Sequence, residues 1–440
     1  MKKKRNGAIL RIAHWNPEKP SRVIKAFLER PSIDAEADRV ARETLREIRA
    51  RGEAAVLECI ERYDGATLTA KQLRVDEKEF AACEREVDTA FKRAVREADK
   101  RIAAFSRAGK KKNWHMATPL GGRLGEQMTP YDRVGTYIPG GSAPLASTVL
   151  MTVTLARVAG VREIVACTPA RPDGSVNPYL LYALKQAGAT EVYRAGGIQA
   201  IGLMAYGTRR IPKVQKIVGP GGPYVTAAKR VVYGEVALDM VAGPSEIAIL
   251  ADEWANAEYV AADMLSQAEH GTGLEKSLLV TSSPEMAHAA REAMLRQTEA
   301  LSRKELIHRA LAKGALIVVT DGLDAGMDLC NAFVPEHFEL LVKNPRRWVR
   351  RVRAAGAVFV GPWTPESAGD FVAGPSHVLP TGGTARLFSG LTVDDFLRRS
   401  SVVELSRREL KTLLPTIETF GRVEGLDGHA RSASIRFSGA

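Results

Sequence analysis

The sequence predicts a mixed α/β protein with two parallel β-sheets, one of them inserted into the domain of the other. After residue 120, eight short apolar runs rich in β-branched residues alternate with amphipathic stretches, a pattern typical of βαβ units. Eight strands are more than one small doubly wound sheet of about five or six strands needs. The predicted strands are Glu163–Cys167, Glu191–Tyr193, Lys216–Val218, Glu246–Leu250, Ser277–Thr281, Leu316–Thr320, Phe338–Val342 and Ala357–Val360.

Two glycine-rich segments, YIPGGSAP (Tyr137–Pro144) and MVAGPSE (Met240–Glu246), bracket a block that contains the first three strands. Glycine and proline clusters interrupt regular structure, so we interpret this block as the inserted sheet. Residues 33–105 are predicted to be helical, because apolar residues recur there at helical spacing. The segment from Thr392 onward is charged and is also predicted to be helical.

Composition limits the class of protein. The 440 residues are 45% hydrophobic and 26% charged, which is typical of a folded protein with more than one core. The most apolar stretch, residues 147–160, is interrupted by Arg157 and falls short of the roughly 18 apolar residues of a membrane span. The basic start Met1–Arg5 is not followed by the apolar run of a secretory signal. We therefore expect no membrane partner.

Cysteine usage and charge add two expectations. The four cysteines are scattered without a CxxC motif, which favours buried thiols and a cytoplasmic protein over a disulfide framework. The net charge of +12 comes without a recognisable nucleic-acid-binding motif, so we expect no nucleic-acid partner. A basic surface could instead attract a phosphate-bearing cofactor.

Glycines follow two strands of the inserted block, as Gly196-Gly197 and as Gly219-Pro220-Gly221-Gly222. A glycine turn between a strand and a helix lets backbone N–H groups approach a phosphate. Neither turn has the GxGxxG pattern, so ordinary βα turns explain them equally well. Their recurrence within one block favours a cofactor-binding domain.

The segment LSQAEHG (Leu265–Gly271) places Gln267 and His270 three residues apart on a helix predicted over Ala257–Glu269. That spacing puts an amide oxygen and an imidazole on one face, where both could bind one metal ion. The alternative is a histidine that caps the helix end or lies in the core. Two ligands alone do not make a metal site.

The tripeptide PEH puts Glu336 and His337 directly before an apolar strand. Placed in one cleft, they would form two proton-transfer groups of different basicity; a solvated glutamate and a buried histidine are the alternative. Further polar residues follow strand Ala357–Val360 in the run Thr364–Gly383, so we expect them at the carboxyl edge of the sheet.

In that run Asp370 offers a carboxylate and His377 an imidazole, although Glu366 or Asp370 could simply cap a helix. Glu424 and His429 lie near the end of the chain, where residue spacing alone indicates a surface position.

Together these motifs resemble the histidinol dehydrogenase family, from about Ile33 to Arg436. The resemblance rests on several long motifs in the same order: YIPGGSAPLASTVLM, GGIQAI, AGPSE, LSQAEHG, PEH, SAGDF, SHVLPTGGTA and EGLDGHA. It implies two incomplete Rossmann-like domains with helical terminal segments. The implied boundaries are an N-terminal segment 1–32, a zinc-site domain 33–136 and 246–390, an NAD-binding domain 137–245, and a tail 391–440.

The resemblance also implies roles for individual residues. The zinc ligands would be Gln267, His270, Asp370 and His429, which also bind substrate, and the proton-transfer residues would be Glu336 and His337. Substrate contacts would come from Ser245, His337, His377 and Glu424, and NAD contacts from Tyr137 and Gln199. Glu424 and His429 would reach the site of the partner subunit in a homodimer.

The implied reaction is the four-electron oxidation of L-histidinol to L-histidine through a retained aldehyde, with two NAD and one zinc ion per subunit. The family's cofactor turn usually reads GPGN, whereas this chain has Gly222 at the last position, so we expect weaker NAD binding. Two other functions are consistent with the same scaffold. One is oxidation of another small alcohol such as a sulfonated diol, although the Glu424 carboxylate would repel a sulfonate. The other is a catalytically silent binding protein, although no zinc ligand and neither Glu336 nor His337 is replaced.

Overall fold

The computed structural model describes residues 10–29, 34–140, 144–240, 243–270 and 273–438, so the basic start Met1–Arg5 lies outside the described residues. The chain forms two compact units. The first contains Met1–Gly109 and Asp132–Phe396, and the second contains Lys110–Tyr131 and Leu397–Ala440. No helix among the described residues is long and apolar enough to cross a membrane.

The strands are β1 (Arg11–His14), β2 (Trp114–Ala117), β3 (Arg123–Pro130), β4 (Arg133–Tyr137), β5 (Glu163–Thr168), β6 (Glu191–Arg194), β7 (Lys216–Val218), β8 (Ala237–Leu238), β9 (Glu246–Ala251), β10 (Lys276–Thr281), β11 (Ala315–Val319), β12 (His337–Leu341), β13 (Ala357–Val360) and β14 (Leu397–Glu404).

The α-helices are α1 (Arg22–Leu28), α2 (Ala35–Arg51), α3 (Glu53–Cys59), α4 (Glu77–Glu86), α5 (Thr89–Gly109), α6 (Ala146–Val149), α7 (Leu155–Ala159), α8 (Pro178–Ala187), α9 (Gly197–Tyr206), α10 (Pro223–Val232), α11 (Ala257–Ala268), α12 (Pro284–Thr298), α13 (Lys304–Gly314), α14 (Leu323–Phe333), α15 (Pro345–Val349), α16 (Glu366–Phe371), α17 (Arg407–Glu424) and α18 (Asp427–Ser434). Two π-helical turns, Ile60–Asp64 and Leu150–Thr154, follow α3 and α6.

The larger sheet of the first unit is parallel, with the strand order β1-β11-β10-β9-β12-β13. Both of its faces are buried. Ile247, Ile249 and Ala251 of β9 belong to a core with α11, α12 and α13, whereas Ala248 and Leu250 of β9 belong to a second core with α1 and α14. Burial of both faces explains why these strands read as uninterrupted apolar runs.

The smaller parallel sheet has the order β6-β5-β4-β7-β8 and is the inserted one. From β4 the chain proceeds outward through β5 and β6, and it then returns to the other side of β4 with β7. The connection therefore reverses between β4 and β7, and in such sheets ligands bind beyond the carboxyl ends of these strands. The expected fold class, two parallel sheets with one inserted, is confirmed. Each of the eight predicted strands is present, with ends that differ by at most one residue.

The helices that precede the inserted block pack on it. Ala37, Leu45 and Ile48 of α2 share one core with β4, α9 and α10, because the apolar face of α2 packs against α9 and α10. This packing differs from the expectation that residues 33–136 belong to the domain of the six-stranded sheet.

The second unit contains an antiparallel sheet, β14-β3-β2, together with α17 and α18. Thr118 donates a hydrogen bond to Glu409 of α17 at 2.6 Å, and Ser406 caps the same helix by accepting from the Glu409 N–H. The segment after Thr392 was predicted to be helical throughout, and for Leu397–Glu404 that prediction is wrong. These eight residues pair with β3 along their whole length.

Candidate active site

Glu336 and His337 lie at the amino-terminal end of β12, beside the start of β9. The Glu336 carboxylate accepts a hydrogen bond from the backbone N–H of Glu246 at 2.9 Å. The Nδ1 atom of His337 lies 3.1 Å from the Glu246 carbonyl oxygen, and its Nε2 atom lies 3.4 Å from an Asp370 carboxylate oxygen. Both side chains are less than a tenth exposed. Glu336 and His337 are thus held by neighbouring strands and by α16.

The structure corrects the expected position of the polar run 364–383. We expected it at the carboxyl edge of the sheet, but Asp370 contacts His337 at the amino edge of β12. The reason is α16, which follows β13 and has its N-terminal N–H, that of Glu366, bonded to Glu339 within β12. The capping alternative is wrong as well, since the N-cap residue of α16 is Pro365 and neither Glu366 nor Asp370 caps the helix.

The insertion explains why the site uses this edge. Residues 239–245 lead from the carboxyl end of β8 to the amino end of β9. Gly243 donates a backbone hydrogen bond to Thr381, and Ser376 donates to the Met151 carbonyl oxygen at 2.9 Å. The carboxyl edge of the five-stranded sheet therefore adjoins the amino edge of the six-stranded sheet. A cofactor on one edge could reach a substrate on the other.

Acidic side chains surround His337. Burial alone would lower the pKa of His337, but Glu336, Asp370 and Glu366 oppose burial and raise that pKa to about 10. Burial raises the pKa of Glu336 to about 8, and burial also raises the pKa of Glu366 to about 7. Burial opposes ionisation of Asp370, yet its hydrogen bond with His337 brings its pKa down to about 2. Strong perturbations in one buried cluster are typical of a catalytic site.

Gln267 and His270 lie at the end of α11, beside the same cluster. Gln267 is fully buried, and its side-chain oxygen Oε1 has no hydrogen-bond partner among the described residues. His270 follows the helix end with Nδ1 3.1 Å from the Gln267 carbonyl oxygen. If Nδ1 carries the proton, it donates to that carbonyl and leaves Nε2 free for a ligand. Ser266 links α11 to α16 by donating to Glu366 at 2.5 Å.

One group of three ligand atoms is compact enough for a metal ion among the described residues. It consists of His337, Glu366 and Asp370, whose ligand atoms lie within 4.8 Å of one another. Only Asp370 belongs to the ligand set that the sequence implied. The charge of His270 nevertheless lowers the pKa of Asp370, which places the two side chains within electrostatic reach.

Ser245 and His377 lie at the same edge. Ser245 immediately precedes β9, and its carbonyl oxygen accepts a hydrogen bond from the Lys276 N–H at 3.1 Å. The His377 Nδ1 atom lies 2.9 Å from the Asp370 carbonyl oxygen, and its Nε2 atom lies 3.1 Å from the Thr148 hydroxyl of α6. Burial lowers the pKa of His377 despite the nearby Asp370. His377 therefore joins the inserted domain to α16.

The predicted cofactor residues meet at the carboxyl edge of the five-stranded sheet. Tyr137 ends β4, and its hydroxyl accepts a hydrogen bond from the Gly197 N–H at 3.2 Å, at the start of α9. Gln199 of α9 is 2% exposed. The second glycine turn passes close to β4, because a side chain at Gly219 would lie 2.3 Å from the Tyr137 carbonyl oxygen, and Gly219 has φ +117°. Only glycine fits this position.

Glu424 and His429 belong to the second unit. Glu424 ends α17, His429 lies in α18, and both side chains are exposed. Their proposed role at the site remains a prediction.

Comparison with known proteins decides the family. The family model described as histidinol dehydrogenase matches residues 28–437. A histidinol dehydrogenase of Moorella thermoacetica is 46% identical over 395 residues, which are 90% of this chain and 93% of that protein. One of Symbiobacterium thermophilum is 43% identical and covers 96% of both chains. The chain belongs to the histidinol dehydrogenase family. It is therefore an enzyme of the oxidoreductase class.

A solved structure supports the same family at the level of the fold. The crystal structure of histidinol dehydrogenase from Elizabethkingia anophelis is similar with a TM-score of 0.91 and 35% identity, covering 97% of each chain. The resemblance inferred from the motifs is thereby confirmed.

Sequence reasoning missed several buried or half-buried acids in this member of the histidinol dehydrogenase family. Glu366 was considered only as a cap, and Glu339 was read as part of an apolar strand. The available signal for Glu339 was a carboxylate in the middle of a fully buried strand, which is rare without a partner. Asp64 contacts the Gly196 N–H at 3.2 Å; its signal was the Asp-Gly pair at the end of a helical segment.

Proposed function

We propose that this protein is a histidinol dehydrogenase that oxidises L-histidinol to L-histidine through L-histidinal, using two NAD in turn. The observation that carries the proposal is the buried Glu336–His337 pair, held against β9 and contacting Asp370. An alcohol oxidation needs a group that accepts the hydroxyl proton. Oxidation of the aldehyde needs a second group that activates water.

The two groups have distinct roles in the proposal. His337 in its neutral form accepts the hydroxyl proton of the substrate at Nε2, since Nδ1 faces the Glu246 carbonyl oxygen and Nε2 lies 3.4 Å from an Asp370 carboxylate oxygen. Glu336 deprotonates the water that adds to the aldehyde, and its raised pKa of about 8 makes it a strong enough base for that step. NAD, when bound, supplies the hydride acceptor in both oxidations.

The residues present fit a zinc site. Gln267 offers a buried oxygen without a hydrogen bond, His270 a ring nitrogen, and Asp370 a carboxylate. Zinc in proteins takes about four ligands from nitrogen, oxygen and sulfur atoms, and His429 of the partner subunit would complete the set. When bound, the zinc ion would orient the amino and imidazole nitrogens of the substrate. Ser245 and His377 of the same subunit would contact the rest of the substrate, together with Glu424 of the partner subunit.

NAD binding is assigned to the carboxyl edge of the five-stranded sheet, with Tyr137 and Gln199 as contacts. The support is that this edge carries both glycine turns and the reversal between β4 and β7, where doubly wound sheets bind ligands. Gly222 leaves open space beside the second turn, since a side chain there would have no neighbour within 4 Å. We therefore expect this turn to bind NAD through backbone N–H groups alone.

A homodimer with shared sites is supported by the surface of the second unit. Seven of the eight residues of β14 are exposed, and among the described strands β14 pairs with β3 alone, which leaves it at the edge of its sheet. The second unit also exposes apolar side chains, and a large exposed apolar surface commonly marks a protein interface. A second copy of the chain would cover it and bring Glu424 and His429 to the neighbouring site. Its exposed apolar residues are Trp114, Met116, Val402, Val403, Leu405, Leu413, Phe420, Val423, Leu426 and Ile435.

We place the enzyme in the cytoplasm.

The test is a product-resolved assay with L-histidinol and NAD on the zinc-loaded protein. We expect about two NADH per L-histidine formed, zinc bound at about one ion per subunit, and activity that disappears on chelation and returns with zinc. His337→Ala should lose activity, whereas His288→Ala, an exposed histidine of α12, should not. One NADH per substrate, or turnover of a sulfonated diol but not of L-histidinol, would contradict the four-electron reaction. Binding of L-histidinol without any turnover would indicate a silent binding protein.

A further inference from the structure

Asp64 comes from outside both sheets and reaches the turn after β6. It is the last residue of the π-helical turn Ile60–Asp64. Its Oδ2 atom accepts a hydrogen bond from the Gly196 N–H at 3.2 Å and lies 3.5 Å from the Gln199 amide nitrogen. π-Helical turns inside helical segments often occur at functional sites. A side chain from the helical region that precedes the sheet thus enters the predicted cofactor site.

The Asp64 carboxylate occupies the place where this kind of turn usually binds a phosphate. The N-terminus of α9 has no side-chain cap of its own, and such helix ends attract anions through their free N–H groups. Here Asp64 already satisfies the Gly196 N–H. A phosphate brought to this turn would meet a negative charge at short range.

Asp64 has no cationic partner in the part of the chain that the structure describes. None of the described lysine, arginine or histidine side chains forms a salt bridge or hydrogen bond with it, and burial raises the pKa of Asp64. The acid at the other glycine turn is different. Asp239 accepts from the Gly219 N–H at 2.8 Å but forms a buried ion pair with Lys229. The turn at Gly196 therefore repels an anion, whereas at the Gly219 turn Lys229 neutralises the charge of the acid.

The position of the Asp64 carboxylate, beside the turn that follows β6, suits a ligand that carries hydroxyl groups. The carboxylate accepts hydrogen bonds and donates none when ionised, and a carboxylate that binds the adenosine ribose is the usual device by which dinucleotide folds choose NAD. The Oδ1 atom of Asp64 accepts no hydrogen bond from the described residues, so it remains available. Gln199 is held beside it, because its amide nitrogen faces Oδ2.

We propose that Asp64 binds a ribose hydroxyl of the dinucleotide and excludes the additional phosphate of NADP, so that it determines the cofactor specificity of this enzyme. The proposal rests on the proposed use of a nicotinamide dinucleotide. The helical segment before the inserted sheet would then take part in the choice of cofactor.

The test compares equilibrium binding of NAD and NADP by calorimetry in the zinc-loaded protein and in three variants. Asp64→Asn removes the charge at nearly constant shape, and Asp64→Ala also removes the acceptor. Asp132→Asn makes the same charge change at the amino end of β4, where Asp132 pairs with the exposed Arg162. Thermal unfolding of each variant reports whether the fold is kept.

We expect Asp64→Asn to narrow the preference for NAD over NADP by about tenfold or more, because like-charge repulsion is removed. Asp64→Ala should in addition weaken NAD binding, and Asp132→Asn should leave the preference unchanged. The proposal is overturned if the preference moves equally in Asp64→Asn and Asp132→Asn, if it moves in neither, or if the parent protein binds no dinucleotide. The L-histidinol assay is scored separately, so an active enzyme with an unchanged preference refutes the role of Asp64 alone.

Discussion

The buried ion pair between Lys229 and Asp239 permits a quantitative prediction about the cofactor turn. Its side chains are 3% and 0% exposed. Asp239 accepts hydrogen bonds from the Gly219 N–H at 2.8 Å and the Met240 N–H at 2.7 Å, and Lys229 donates to the Gly219 carbonyl oxygen at 3.0 Å. The pair therefore fixes both backbone groups of Gly219 and the start of the segment that leads to Ser245.

Replacing Lys229 by methionine keeps the length of the side chain but leaves the Asp239 carboxylate buried without a counter-charge. Breaking a buried pair in this way costs about 3–5 kcal/mol. We expect the lower end, about 3 kcal/mol, because the two backbone N–H donors remain to stabilise the carboxylate. The double variant Lys229→Met with Asp239→Asn removes both charges, so it should lose only about 1–2 kcal/mol.

Hydrogen exchange monitored by mass spectrometry measures this loss of local stability at the amides of β7 and α10. A loss of 3 kcal/mol corresponds to exchange about a hundredfold faster, since about 1.4 kcal/mol is a factor of ten. The double variant should recover about five- to twenty-fivefold of that change, and amides of α12 beside the other sheet serve as the internal control. NAD should also bind more weakly in the single variant. Exchange that changes less than tenfold, or a double variant that exchanges as fast as the single one, would refute the reasoning.

Three further predictions concern the site. Gly222→Asn should lower the Michaelis constant for NAD, since Gly222 has φ −67° and open space beside it; an unchanged constant would contradict the expected role of this position. Glu336→Gln should slow L-histidinal oxidation by about 10²–10⁴-fold. In the parent enzyme that step should become faster with rising pH up to about 8, because burial raises the pKa of the base, and a pH profile identical in the variant would exclude Glu336 as the base. Co-expressed His337→Ala and His429→Ala subunits, each inactive alone, should regain activity as mixed dimers; verified mixed dimers without activity would show that the tail acts on its own subunit.

Most of the strands that the sequence predicted are buried on both faces. β9 and β10 read as continuous apolar runs because helices cover both sides of the sheet. β4 was missed because it contains Arg133 and Gly135. Arg133 is buried by ion pairs with Glu163 and Glu191, and a side chain at Gly135 would lie 2.5 Å from the Met204 sulfur. Both features depend on residues far along the chain, which a local pattern does not contain.

β14 was missed because its own sequence carries no strand pattern. Its sequence LRRSSVVE has neither an apolar run nor clean alternation, and it forms a strand because β3 pairs with all eight residues. Residues of this kind are read correctly only when the partner strand is known. The exposed side chains of β14 are, in turn, the observation that supports a second subunit.

The position of the site shows the same limit at a larger scale. A rule drawn from single doubly wound sheets places ligands at carboxyl ends, and for the five-stranded sheet it agrees with the proposed cofactor turns. For the six-stranded sheet it gave the wrong edge, since Glu336 immediately precedes β12 and His337 begins it. The insertion between Arg133 and Leu238 resolves the difference, because residues 239–245 join a carboxyl edge to an amino edge. Two sheets joined in this way can place a dinucleotide and an alcohol against each other while each sheet remains regular. Glu336 raises the pKa of His337 from the start of β12, and the other two acids that raise it, Asp370 and Glu366, come from α16, which reaches this edge because it packs back along β12.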